Sequence, residues 1–154
     1  MAGPAVLIGV GNEFRRDDGA GPRLVAGLGD RVPAGVRSVL SDGDPAELID
    51  AWAGARLAVV VDAAWASPAV PGRLHRLVLG DRQPLPGSAV SSHGLGVGAA
   101  VGLAHALGRL PRLLIVHTVE AGDVSTGSGL TVAVSAALPG LAVAVLADLT
   151  RGGR

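Results

Sequence analysis

The sequence predicts an α/β sandwich built around parallel strands. Three runs, Ala5–Val10, Leu57–Val61 and Leu113–Val116, are apolar throughout and of strand length, the pattern of strands covered on both faces. Segments with helix-start signals lie between them, so strands and helices alternate. Hydrophobic residues make up 49% of the chain but Phe, Tyr and Trp only 2%, so the core is finely packed from Ala, Val and Leu. At 154 residues, one core of ordinary size and one domain spanning residues 1–154 are expected.

The first strand, Ala5–Val10, breaks into the turn Gly9-Val10-Gly11-Asn12 and then presents Asp17 and Asp18 before a helix over Gly21–Leu28. Val36–Ser41 supplies a short second strand. Asp44 as N-cap and Pro45 at the first helical position open a helix to Ala53. Leu57–Val61 runs into Asp62. Arg73–Leu79 alternates only loosely, as an edge strand does. Gly80–Ser92, with Pro84, Pro86 and Gly87, is a long loop of the kind that often carries function, and it leads to a helix over His93–Leu107. After the strand Leu113–Val116 the chain closes with a helix over Leu130–Leu149, which Pro139 kinks or divides. There is no internal repeat.

Composition removes several function classes. Thirteen basic and thirteen acidic residues balance, so nothing drives binding to nucleic acid or to an anionic membrane. Without cysteine, a disulfide frame, a thiolate zinc site and a cysteine nucleophile are excluded, and any metal site must use His, Asp or Glu. Val124–Ala147 is uncharged and long enough to span a bilayer, but it opens with Ser-Thr-Gly-Ser-Gly and carries Pro139-Gly140, which argues against a span. The N-terminal apolar run is too short for a signal peptide, and a cytoplasmic protein is expected.

In such a fold, ligands bind at the carboxyl ends of the parallel strands, where crossover connections diverge. Asp18 follows the first strand, Asp62 ends the third, and His93 follows the long loop, so two carboxylates and an imidazole could converge there. An acid on the end of an apolar strand is costly unless it is paired or binds something. Of the adjacent acids, one is expected to cap the following helix, and the residues alone do not choose between them. His93 gains its weight from the other two. His75 and His105 read as structural, and His117 and Glu120 as supporting residues of the crevice at most. Asp42 and Asp44 read as turn and cap residues. The turn Gly9-Val10-Gly11 invites a dinucleotide, but the fingerprint wants a glycine where Phe14 stands, and the two carboxylates would repel phosphate. No Gly-x-Ser-x-Gly elbow supports a serine hydrolase.

With Ile8-Gly-Val-Gly-Asn12, Asp17-Asp18-Gly19-x-Gly21, Asp62 on its strand end and Ser92-His93-x-Leu-Gly96, the chain resembles the hydrogenase maturation endopeptidases. The likeness runs from the first strand through Val119-Glu120 to Gly129-Leu130-Thr131. It implies a three-layer α/β/α sandwich, phosphorylase/hydrolase-like, with a mostly parallel five-stranded mixed sheet. It also implies an aspartic-type endopeptidase that removes the C-terminal extension of a nickel-iron hydrogenase large-subunit precursor after nickel insertion, with the nickel carried by that substrate. Asp18, Asp62 and His93 match the three positions that contact nickel, which prefers Asp18 over Asp17. Many members carry Gly-Gly-Thr-x-Gly after the second strand where this chain has Asp42-Gly43-Asp44-Pro45-Ala46, which points to a precursor of a different group if that turn reads the substrate. Two other function classes compete: a nucleotide- or metabolite-binding module using the glycine turn, and an assembly chaperone that holds the precursor without cutting it.

Overall fold

The computed structural model describes residues 4–80 and 95–152. Its strands are β1 (Ala5–Val10), β2 (Val36–Ser41), β3 (Leu57–Ala64), β4 (Leu74–Gly80) and β5 (Leu113–Glu120). Its α-helices are α1 (Ala20–Leu28), α2 (Pro45–Trp52), α3 (Leu95–Leu107) and α4 (Val132–Gly152). The strands form one sheet in the order β2-β1-β3-β5-β4, parallel except for β4, which pairs antiparallel to β5. The predicted edge strand is therefore the sheet's edge.

Alternation along β1 and β3 divides the core into two. Val6, Ile8, Val10, Ala58 and Val60 pack with Leu48 and Trp52 of α2 and with Val97, Ala100 and Ala104 of α3. On the other face Ala5, Leu7, Val59 and Val61 meet Leu24 and Val25 of α1 and Leu141, Val145 and Leu149 of α4. The result is the three-layer sandwich expected from the resemblance.

Helix α1 lies very close to the sheet because glycines stand at the contact. A Cβ on Gly9 would come 2.8 Å from the Gly21 carbonyl oxygen, and one on Gly21 would collide with the carbonyl oxygens of Val10 and Val61. Gly11, at φ +144°, leaves no room for a Cβ beneath the Asp18 carbonyl. The glycine pattern thus serves close packing of backbone on backbone. Gly21→Ala is expected to destabilise the fold by about 1–3 kcal/mol, as overpacking does. Gly27→Ala, whose Cβ meets nothing within 4 Å, is expected to leave stability unchanged or raise it by up to about 1 kcal/mol. Urea unfolding of the two variants checks the contrast.

The structure corrects several boundaries. β3 and β5 continue beyond the predicted ends to Ala64 and Glu120, so Asp62 and His117 lie inside strands. Residues past each apolar run still pair across the ladder, from Asp62↔Thr118 to Ala64↔Glu120. α4 is one helix through Pro139, which sits on its exposed face and has no N–H to give the Ser135 carbonyl. By length and composition α4 could cross a membrane. Its buried stripe, Val134, Leu141, Ala142, Val145 and Leu149, nevertheless packs on the sheet as an amphipathic core helix does. The predicted loop after Gly80 and the start of its helix at His93 lie outside the described residues.

Candidate functional site

The strand order reverses direction between β1 and β3: the chain leaves β1 toward β2 on one side, while β3 and β5 extend on the other. Open α/β sheets have their ligand crevice at such a point, outside the carboxyl ends of the strands. The two predicted aspartates flank it, Asp18 from the segment after β1 and Asp62 from β3.

Asp17 and Asp18 sit in a 3-10 turn, Arg16–Gly19, which turns their side chains apart. Asp17 is fully buried. Its Oδ2 accepts from the N–H groups of Gly122 at 2.8 Å and Asp123 at 3.1 Å, and its Oδ1 from Thr131 N–H at 2.8 Å. The Thr131 hydroxyl donates to the same carboxylate at 2.9 Å. It therefore caps no helix, contrary to the sequence expectation; it ties the segment after β1 to the loop after β5. No side chain caps α1, whose N-cap is Gly19. Asp18 is half-buried, and its Oδ2 accepts from Asn12 N–H at 2.9 Å across the glycine turn. Its other oxygen has no partner among the described residues.

Asp62 is 6% exposed, and its Oδ1 accepts from the Ala63 N–H at 2.8 Å. Its second oxygen is likewise without a partner among the described residues. Burial pushes its pKa up to about 7; the Ala63 hydrogen bond works against the shift and the negative charge of Asp18 adds to it. Two carboxylates thus share one crevice, each with one oxygen uncommitted among the described residues, and the charge of Asp18 adds to the cost of ionising Asp62. A divalent cation between them would relieve that cost, and carboxylate oxygens are suitable donors for a borderline-hard ion. The described residues contain no group of three or more candidate ligands. His93, the third predicted ligand, lies outside the described residues.

Beside this pair, a cleft of about 390 Å³ opens between the ends of β1 and β2. It is lined by Asn12, Glu13, Phe14, Leu40, Asp42 and Glu47, among others. Phe14 and Leu40 are exposed there at 74% and 53%. Asp42 accepts from Asp44 N–H, and Asp44 caps α2 through Ala46 N–H at 3.2 Å, the turn and cap roles expected of them.

Three buried polar residues have partners that the sequence did not reveal. Glu120, nearly buried, accepts from Val70 N–H at 2.9 Å and holds His75 Nε2 at 2.6 Å; these bonds keep its carboxyl below the usual range. His117 does not line the crevice. It faces α4, where its Nε2 meets Asp148 Oδ2 at 2.7 Å, and burial holds its pKa down despite that partner. Asp148 also receives both Arg76 bonds, at 2.8 and 3.0 Å, and one from Arg151 at 2.6 Å, which fastens α4 to the outer strands. Asp148 is the sole acid in a mostly apolar helix, and that isolation was the signal available in the sequence.

No family model matches the sequence, and no curated protein does. Solved structures do match. An endopeptidase from Escherichia coli is 25% identical with a TM-score of 0.81, covering 98% of this chain and 94% of that one. The hydrogenase maturating endopeptidase HybD from E. coli is 21% identical with a TM-score of 0.78, over the same shares. The [NiFe] hydrogenase maturation protease HybD from Thermococcus kodakarensis is 22% identical with a TM-score of 0.72, covering 96% of this chain and 99% of that one.

Proposed function

We propose that this chain, which has the fold of the hydrogenase maturation endopeptidases along nearly its whole length, is a peptidase. Its substrate is a nickel-iron hydrogenase large-subunit precursor, from which it removes the C-terminal extension once nickel is in place, in the cytoplasm. The observation that carries this reading is the pairing of Asp18 and Asp62 at the sheet's reversal point, each with one carboxylate oxygen uncommitted among the described residues.

The nickel arrives with the substrate. Asp18 and Asp62 take it through those oxygens, and by the resemblance His93 is the third contact. Burial raises the Asp62 pKa to about 7, and a cation beside it favours its ionised form, so binding is coupled to the metal's presence. Holding the metal fixes the adjoining peptide against the crevice, which converts recognition into orientation of the scissile bond. Held there, the metal would supply Lewis-acid chemistry beside the scissile bond, polarising its carbonyl or activating a nearby water. Asp42 lines the neighbouring cleft, so the chain's departure from the common family turn falls where a precursor segment would lie.

Incubating the protein with the precursor, with and without nickel, and weighing the products tests this reading. Loss of the C-terminal tail only from the nickel-loaded precursor is the expected result. Binding without a change in mass would instead identify a non-cleaving chaperone, and a thermal shift with NAD or ATP but none with nickel would identify a nucleotide-binding module.

A further inference from the structure

Thr118 stands directly across from Asp62 in the β3–β5 register and directly across from His75 in the β4–β5 register. Residues paired in this way project from the same face of the sheet, and so does Glu120, two positions along β5. One face at the carboxyl end therefore carries a row, Asp62, Thr118, His75, Glu120. Its outer end is bonded: Glu120 holds His75 at 2.6 Å and is itself held by Val70 N–H. The inner end is not. Thr118 is 2% exposed, and its hydroxyl has no hydrogen-bond partner among the described residues. Asp62 beside it has one oxygen committed to Ala63 and one uncommitted.

A buried hydroxyl without a partner costs about 1–3 kcal/mol, and threonine is easily replaced in a strand by valine, which has the same shape and no such cost. Among the described residues, then, the Thr118 hydroxyl gains the free fold nothing. Its one neighbour across β3 is a carboxylate that must hold a definite orientation toward the substrate. We infer that Thr118 is a positioning residue: its hydroxyl donates to the Asp62 carboxylate when the site is filled, fixing which oxygen faces the substrate's metal. The inference rests on the function proposed above. Groups that bond a ligating carboxylate in this way typically change affinity or activity by about 10–100-fold when removed.

Thr118→Val and Thr118→Ser separate this role from a packing role, because stability and activity should move in opposite directions. Thr118→Val is expected to unfold at the same or a higher temperature than the unmodified protein, since it removes the unpaired hydroxyl. It should nevertheless cleave nickel-loaded precursor with kcat lowered about tenfold or more and KM within about twofold. Thr118→Ser, which keeps the hydroxyl and loses a methyl group, should be the less stable of the two and the more active. Cleavage by Thr118→Val at the unmodified rate would overturn the inference while leaving the proposed function standing. Parallel loss of stability and activity in Thr118→Val would overturn it as well, by showing packing alone. Failure of the unmodified protein to cleave the nickel-loaded precursor would overturn the proposed function, and this inference with it.

Discussion

Asp62→Asn is expected to abolish cleavage of the nickel-loaded precursor, by at least about a hundredfold, while making the protein more stable at pH 8. The two effects share a cause. The carboxyl lies inside a strand whose every residue is buried, and burial raises its pKa to about 7 against about 3.9 in an unfolded chain. Between those values the folded state holds a proton that the unfolded state releases, so this group's contribution to stability falls as pH rises from about 4 to about 7. Above pH 7 the full cost of an ionised buried carboxylate is present, up to about 4 kcal/mol for a shift of about three units. Asn keeps an oxygen for the Ala63 N–H and carries no charge. Denaturant unfolding across pH should therefore show Asp62→Asn more stable than the unmodified protein by on the order of 2–4 kcal/mol at pH 8, with the difference vanishing below pH 4. A difference independent of pH would contradict the assignment of that cost to the Asp62 charge.

Asp17→Ala is expected to destabilise the fold by about 3–5 kcal/mol, whereas Asp18→Asn, one residue away, should cost less than about 1 kcal/mol. Asp17 is buried and receives three backbone N–H groups and a hydroxyl. Truncation would leave those donors without their acceptor and leave only backbone hydrogen bonds, such as Arg16 N–H to Gly127 C=O, to join the loop after β5 to the segment that presents Asp18. Asp18 is half-buried and gives only one oxygen to the protein. Thermal and urea unfolding of both variants read the contrast; equal costs would contradict the division of labour between the two acids.

The fold was legible because its evidence is local. Continuous apolar runs located β1, β3 and β5, and the weak alternation of Arg73–Leu79 marked the edge. Strand ends were misplaced because pairing across the ladder carries polar residues such as Asp62 and Thr118 into strands that an apolar pattern alone would end sooner. Asp18 and Asp62 could be picked out as acids after apolar strands. The roles of Asp17 and His117 could not, since each depends on a partner over a hundred or thirty-one positions away, in the loop after β5 and in α4. The glycines of the opening turn suggested a ligand-binding backbone, but Gly9, Gly11 and Gly21 serve to bring α1 against the sheet and so to set Asp18 beside Asp62. Thr118 gave no signal at all, because an unpaired hydroxyl becomes visible only once its surroundings are known.

The most direct test compares Asp18→Asn with the unmodified protein on the same nickel-loaded precursor, reading the precursor's mass over time after confirming that the variant is folded. The expected result is rapid loss of the C-terminal tail with the unmodified protein and an intact precursor with Asp18→Asn. Tail removal by Asp18→Asn at the unmodified rate would contradict a site in which Asp18 and Asp62 together receive the substrate's nickel.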